Sequence, residues 1–180
     1  LARGGMRPVV AIYSTFLQRA YDQILHDVAL QNLPVIFAID RAGLVGEDGP
    51  THHGVFDLSY LRNIPNLVIM APSNEIELRN MLNTAFNIEG PVAIRYPRGA
   101  GEGLEIAGPP RFLEPGQGKI LEEGDDLAII AVGRGVSIGA EVRKMLVSKG
   151  ISVMLLDARF VKPLDSKMIC RLALRCGRVL

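Results

Sequence analysis

Between Arg41 and Gly54 the chain reads R-A-G-L-V-G-E-D-G-P-T-H-H-G, which gathers a guanidinium, the carboxylates of Glu47 and Asp48, the imidazoles of His52 and His53, and several glycines on one short stretch. An imidazole beside a carboxylate can move protons at neutral pH. A guanidinium holds phosphate or carboxylate through two parallel hydrogen bonds, and more guanidinium arrives in Arg95-Tyr96-Pro97-Arg98-Gly99. Tyr13-Ser14-Thr15-Phe16 adds an aromatic pair able to stack on a planar heterocycle. The adjacent His52 and His53 lack the i, i+4 spacing that lets two histidines share a metal ion. Each feature also has a plainer explanation when taken singly: glycines that only set turn geometry, aromatics packed on a neighbouring loop, and unrelated polar side chains at the surface.

The surrounding pattern argues for position as well as composition. Pro34 to Asp40 is a near-continuous apolar run of the kind covered on both faces in a parallel sheet. Further apolar strands are expected at Val9 to Tyr13, Leu67 to Ala71 and Val92 to Tyr96, alternating with helices at Thr15 to Gln31 and Asn74 to Asn87. Such alternation predicts a parallel α/β sheet, and in open α/β sheets ligands bind beyond the carboxyl ends of the strands. The Arg41–Gly54 run, Tyr13 with Phe16, and Arg95 with Arg98 all follow strands and fall at that edge. The first helix carries Leu17, Ala20, Tyr21, Ile24, Leu25 and Val28 as an apolar stripe, with Phe16, Arg19, Gln23 and His26 on the opposite face. An aromatic beside a cation there suggests a ligand or a partner subunit covering that side; an arginine lying over one exposed phenylalanine is the alternative.

From Gly99 to Gly124 periodicity fades and Gly and Pro dominate, which predicts a linker or surface arm. A second α/β unit follows, with a strand at Leu127 to Val132, a helix at Val136 to Ser148, a strand at Ser152 to Leu156 and a helix from Ser166 to about Cys176. The expected organisation is residues 1–98 as one domain, 99–124 as a linker and 125–180 as the start of a second domain. Within the second unit Gly133-Arg134-Gly135-Val136-Ser137-Ile138-Gly139, trailed by Asp157, approaches a dinucleotide-binding fingerprint. The third glycine falls one place late and an arginine sits in the turn, and a strand-to-helix turn needing glycine explains the run without a ligand.

With 180 residues, 48% of them hydrophobic, and a formal net charge of +1, the composition is that of an ordinary globular chain. No basic, aromatic-interleaved run predicts nucleic-acid binding, and no apolar run approaches the roughly 20 residues of a membrane span. Cys170 and Cys176 lack nearby histidines, which argues against a metal site or disulfide framework and suits a reducing compartment, a bacterial cytoplasm or plastid stroma. The opening Leu1-Ala2-Arg3 without a methionine and the close at Arg178-Val179-Leu180 suggest a piece of a longer polypeptide.

Four motifs carry a resemblance: Tyr13 to Gln23 (Y-S-T-F-L-Q-R-A-Y-D-Q), Asp40-Arg41-Ala42-Gly43, Gly46-Glu47-Asp48-Gly49-Pro50-Thr51-His52, and Arg95 to Gly99. They resemble the 1-deoxy-D-xylulose 5-phosphate synthase family of transketolase-type thiamine-diphosphate enzymes. The Gly46–His52 motif is similar to transketolases in general, whereas the first and last favour the synthases; Phe160-Val161-Lys162-Pro163-Leu164-Asp165 extends the match into the second unit. The resemblance implies a pyrimidine-binding domain and the start of a C-terminal domain in an enzyme that joins pyruvate to D-glyceraldehyde 3-phosphate with loss of CO2. On that match Phe16, Tyr13 and Arg19 would form the aminopyrimidine pocket, Asp48 and His52 would face the reacting carbons, and Arg41 and Arg98 would hold the acceptor's phosphate. The family's Gly-Asp-Gly motif with its distant Asn, which binds pyrophosphate and Mg2+, is absent from the sequence, as is the glutamate that activates the aminopyrimidine. The metal ligands are therefore expected outside this segment, with the segment alone inactive and activity requiring the remaining polypeptide in a homodimer. Another transketolase-type enzyme, or a non-catalytic binding or assembly module of the same fold, are the alternatives.

Overall fold

The computed structural model describes all residues 1–180. The expected apolar runs form strands β1 (Val9–Tyr13), β2 (Ile36–Asp40), β3 (Val68–Met70) and β4 (Val92–Arg95). They pair in parallel in the order β1-β2-β4-β3, with Tyr13 opposite Asp40 and Ile39 opposite Arg95, so their carboxyl ends form one edge. Side chains alternate between two layers, as strand geometry requires. Phe37, Ile39, Ile69 and Ala93 face a core completed by Leu17, Ile24 and Ala29 of the first helical run and by Leu61 and Ile64. Ile36, Met70, Val92 and Ile94 face the other core, with Met81 and Ala85.

The first helical run differs from the continuous α-helix expected. Helix α1 (Ser14–Leu17) passes into a 3-10 turn (Gln18–Ala20) and then a π-helix (Gln23–Ala29). The wide turn, closed by Leu30 N–H donating to the Leu25 carbonyl at 2.9 Å, brings Ala29 fully into the core in place of Val28. A short helix that sequence periodicity did not reveal, α2 (Asp57–Leu61), follows the glycine-rich loop. Helix α3 (Glu75–Asn87) forms where expected, capped by the Asn74 side chain, which accepts from Glu77 N–H at 2.9 Å.

The second unit contains β5 (Lys119–Glu122), β6 (Leu127–Ala131), helix α4 (Gly135–Val147), β7 (Val153–Asp157), β8 (Phe160–Lys162) and helix α5 (Ser166–Cys176). Its sheet has the order β5-β7-β6, with β5 antiparallel. The Gly/Pro-rich stretch is thus not a linker throughout: residues 119–122 are an edge strand whose Ile120 packs on the second core while Lys119 stays exposed. Strand β8 leaves its own unit and pairs antiparallel with β3, adding a fifth strand to the first sheet and burying Phe160 completely in its core. The chain therefore ties its two units together through shared sheet and core. No helix is long and apolar enough to cross a membrane.

Candidate active site

Parallel register brings the chemistry together. Because β1, β2 and β4 are neighbours, Tyr13, Asp40–Arg41 and Arg95–Arg98 emerge side by side at one edge, and Phe16 stands on the first turn after β1. The glycine-rich run folds into a loop cinched at its base, where Gly43 and Gly54 exchange backbone hydrogen bonds of 2.8 Å each way. Only glycine fits at 54: a Cβ there would lie 2.4 Å from the Arg41 carbonyl oxygen and 2.5 Å from Ser14 Cβ. Inside this closure, Arg41 adopts φ of 56°, a left-handed conformation unusual for its type and characteristic of residues whose placement is fixed by function or packing.

Tyr13 and Phe16 are stacked, with ring centroids 5.4 Å apart and planes 16° from parallel. Arg41 covers the Tyr13 ring at 3.8 Å, and the His52 ring meets Phe16 edge-on at 5.4 Å. Arg41 Nε donates to Asp48 Oδ2 at 2.9 Å and its Nη1 to Asp40 Oδ2 at 2.7 Å. Arg98 Nε also approaches Asp48 Oδ2, at 3.3 Å, so one carboxylate holds two guanidinium groups together. Burial opposes the charge of Arg41, but the hydrogen bond to Asp48 and the charges of Asp40 and Asp48 outweigh it and hold its pKa above the ordinary value. His52 Nδ1 lies 3.0 Å from Thr51 Oγ1, and Thr15 Oγ1 donates to the Thr51 carbonyl at 3.2 Å, which leaves His52 Nε2 unengaged. His53 is turned to structure: its Nδ1 accepts the Val45 N–H at 3.3 Å.

Six of the seven residues singled out in the sequence thus meet: Tyr13, Phe16, Arg41, Asp48, His52 and Arg98. Arg19 does not join them by contact; it is exposed on the outer face of the first helical run and takes part in no ion pair or hydrogen bond. Arg95 also stands apart from Arg41 and Arg98. Its Nε donates to Asp57 Oδ2 at 2.8 Å, and Asp57 is only 1% exposed, so this pair is a buried strut beneath the site. Asp57, together with Asp40 as a ligand of Arg41, was not apparent from the sequence. Asp57 lies on the five-residue helix α2, too short to show periodicity, and its partner is 38 residues away. Close by, burial and then the Asp57 charge push the Tyr60 phenol well above its ordinary pKa.

No group of three His, Cys, Asp or Glu side chains is placed to hold a metal ion. The aromatic ledge is open, with Phe16 47% exposed, and suits the face of a planar heterocycle. Next to Arg98 a cavity of about 370 Å³ lies between the units, bordered by Asn74, Glu75, Tyr96, Arg134 and Ser137.

Stacked aromatics with an imidazole at their edge, and two guanidinium groups clustered on one carboxylate at the carboxyl edge of a parallel sheet, place the chain in a class. Residues 1–102 match the model of the transketolase pyrimidine-binding domain and residues 116–180 that of the transketolase C-terminal domain; the chain belongs to the transketolase family. Among curated relatives, it is 67% identical over all 180 residues to the 1-deoxy-D-xylulose-5-phosphate synthase of Syntrophomonas wolfei. It is 59% identical over the same 180 residues to 1-deoxy-D-xylulose-5-phosphate synthase 1 of Geobacter sulfurreducens. The chain spans 28% of the length of each of these two relatives. Among solved structures, a split-gene transketolase described as an inactive β4 tetramer superposes on 99% of this chain, which covers 57% of that one, with TM-score 0.87 at 31% identity. A Pichia stipitis transketolase variant shares the fold, with TM-score 0.75 at 21% identity over 93% of this chain and 25% of its own.

Proposed function

We propose that these residues form the pyrimidine-binding part and the start of the C-terminal part of a 1-deoxy-D-xylulose 5-phosphate synthase, which condenses pyruvate with D-glyceraldehyde 3-phosphate and releases CO2. The observation that carries this reading is the meeting of three functions at one edge: the Tyr13–Phe16 ledge, His52 with Asp48, and Arg41 with Arg98. The identity to synthases along the whole chain selects this reaction within the family.

The residues fit one end of thiamine diphosphate. The ledge suits an aminopyrimidine face, and on this reading the pyrophosphate and its Mg2+ are held by other segments of the polypeptide. When bound, the cofactor supplies the electron sink that lets a carbon–carbon bond beside a carbonyl be cleaved and re-formed. Phe16 and Tyr13 orient the ring, and Arg19 lies close enough in sequence to reach the same pocket once a ligand or neighbouring domain covers the exposed face. His52, with Nδ1 held by Thr51, presents Nε2 to move a proton to or from the acceptor oxygen. Asp48 holds Arg41 and Arg98 in one geometry, so that their remaining N–H groups can receive the acceptor's phosphate. The exposed apolar side chains beside the site, Phe16, Leu44, Val55 and Phe56, match a surface covered by the rest of the polypeptide and a second subunit of a homodimer. We read residues 1–98 as the first domain and place the start of the second at β5 (Lys119–Glu122), ahead of the boundary at 125 expected from the sequence. Bacterial relatives favour a bacterial cytoplasm over a plastid.

The test is a coupled assay of the full-length polypeptide with pyruvate, glyceraldehyde 3-phosphate, thiamine diphosphate and Mg2+. Deoxyxylulose phosphate should form with pyruvate as donor and fail to form with ketose phosphates. Turnover of ketose phosphates instead would reassign the chain to another transketolase-type activity, and turnover of neither would favour an assembly module.

A further inference from the structure

The stretch that follows Arg98 is fastened to α3 by four polar side chains along its length. Glu75 accepts backbone N–H groups from Glu102 at 3.1 Å and Leu104 at 2.7 Å. Further along the helix, Arg79 donates to the Gly108 carbonyl at 2.6 Å, Asn80 accepts from Arg111 N–H at 2.9 Å and Thr84 accepts from Leu113 N–H at 2.8 Å. Glu75 and Arg79 stand one turn apart, as do Asn80 and Thr84, so the fastened segment crosses the helix obliquely. Their sequence signal was hidden, because polar side chains on a helix ordinarily read as a solvated surface.

Glu75 is the fastening nearest the site. Glu75 and Arg98 border the same cavity of about 370 Å³. The backbone approaches so closely that a Cβ on Gly101 would sit 2.8 Å from the Glu75 carboxyl carbon. Backbone N–H groups, its own first and then those of Leu104, Glu102 and Gly103, hold the Glu75 carboxyl below the ordinary carboxylate value. The Arg98 guanidinium has a single anchor, the 3.3 Å approach to Asp48, and Arg98 precedes Gly99, whose φ of 145° places a sharp change of direction between Arg98 and the fastened segment. The backbone on the far side of that bend is therefore fixed by Glu75 and by little else near the site.

We propose that Glu75 is a positioning residue for phosphate binding: by clamping the backbone at 102–104 it sets the place from which Arg98 reaches the acceptor's phosphate. This rests on the synthase reading for the identity of the acceptor, while the coupling of Glu75 to anion binding at Arg98 can be measured without turnover. The mechanism needs no new contact between Glu75 and substrate. It requires only that a misplaced guanidinium binds a phosphate less well than one held in register.

The experiment titrates the full-length polypeptide with inorganic phosphate by calorimetry, in the unaltered form and as Arg98→Ala, Glu75→Ala, Glu75→Gln and Gly101→Ala. Arg98→Ala should abolish most phosphate binding. Glu75→Ala should weaken it about three- to tenfold, the scale of losing charge-assisted hydrogen bonds that act indirectly. Glu75→Gln, which keeps one acceptor oxygen, should fall between, and Gly101→Ala should follow Glu75→Ala because its Cβ displaces the carboxylate. KM for glyceraldehyde 3-phosphate should rise by the same factor as phosphate affinity falls, with kcat and KM for pyruvate unchanged. Unaltered phosphate affinity in Glu75→Ala overturns the proposal, as does a parallel loss of thiamine-diphosphate affinity and kcat, which would mark a general structural defect. Phosphate binding that ignores Arg98→Ala overturns it as well. If no variant or parent forms deoxyxylulose phosphate but phosphate binding follows the stated order, the role of Glu75 stands and the synthase reading falls.

Discussion

Both units of the chain end their parallel strands in a glycine-rich turn followed by a helix, yet the two ends differ in what they leave open. At the first, Phe16 stays half-exposed, the Arg41 backbone is held left-handed, and two guanidinium groups share Asp48 beside an open aromatic ledge. At the second, Gly133 packs against the first unit, where an added Cβ would touch Ala71 Cβ at 3.4 Å, and Gly139 lies under the sheet, where an added Cβ would meet Leu155 Cδ1 at 3.0 Å and Ile129 Cγ2 at 3.1 Å. Asp157, the acid of the apparent dinucleotide fingerprint, is 1% exposed, accepts from Arg159 N–H at 2.9 Å and so is spent on the turn into β8. Arg159 in turn pairs with Glu77 of α3 at 2.8 Å. The same local architecture thus leaves an open aromatic and guanidinium edge at one end and joins the two units at the other. What separates them is whether the polar groups are left facing open space or are consumed by neighbours.

Substitutions at the two ends should therefore differ in kind. The largest effect is expected for His52→Ala in the full-length enzyme, where loss of a proton-transferring group lowers kcat by about 10²- to 10⁴-fold without lowering the thermal midpoint; a drop below tenfold would remove His52 from the chemistry. Comparable in energy but opposite in kind, Asp57→Ala leaves the Arg95 guanidinium without its buried partner and should destabilise the fold by about 3–5 kcal/mol in denaturant titrations. Arg98→Ala should raise KM for the phosphorylated acceptor about 10- to 100-fold, equivalent to about 1.4–2.8 kcal/mol, while unphosphorylated glyceraldehyde is used no worse than before. At the second end, Gly139→Ala should cost about 1–3 kcal/mol of stability through overpacking, and NAD should leave the thermal midpoint of the parent unmoved; stabilisation by NAD would show that this end binds after all.

The smallest effect concerns pH. Burial, partly offset by the Ser73 hydrogen bond and the Arg159 N–H, raises the Asp157 pKa above its ordinary value. A carboxyl raised in the folded state contributes stability below its unfolded pKa, about 4, and loses that contribution as pH rises through the folded value. At neutral pH the ionised form is therefore a burden, and Asp157→Asn should raise the thermal midpoint there, with the gain shrinking as pH falls toward 4. A gain that grows on acidification would reverse the assignment.

What the sequence disclosed follows the same division. Strands β1, β2, β4, β6 and β7 and helices α3, α4 and α5 were legible because each has a clean apolar period or run bounded by turn residues. Tyr13, Phe16, Arg41, Asp48, His52 and Arg98 were legible as neighbours because parallel register brings strand ends and the loops that follow them together. Features that depend on distant partners stayed hidden. The Asp57–Arg95 strut joins residues 38 apart, the Arg159–Glu77 tie joins residues 82 apart, and β8 gains its meaning only by crossing to the first sheet. The π-helical turn before Leu30 was concealed because an α-helical stripe already accounted for Leu17 and Ile24. Arg19 shows the converse: its motif pointed to the pocket, but its side chain makes no contact there in this chain, so its role depends on what covers the outer face.

On the synthase reading, the edge formed by Tyr13, Phe16, Asp48, His52, Arg41 and Arg98 is one half of a thiamine-diphosphate site completed by the rest of the polypeptide. The most direct test compares the full-length polypeptide with residues 1–180 in the pyruvate and glyceraldehyde 3-phosphate assay, each with thiamine diphosphate and Mg2+. Deoxyxylulose phosphate from the full polypeptide, none from residues 1–180, and loss of product on His52→Ala in the former is the result expected. Turnover by residues 1–180 alone, or a full polypeptide that is indifferent to His52→Ala, would contradict the account.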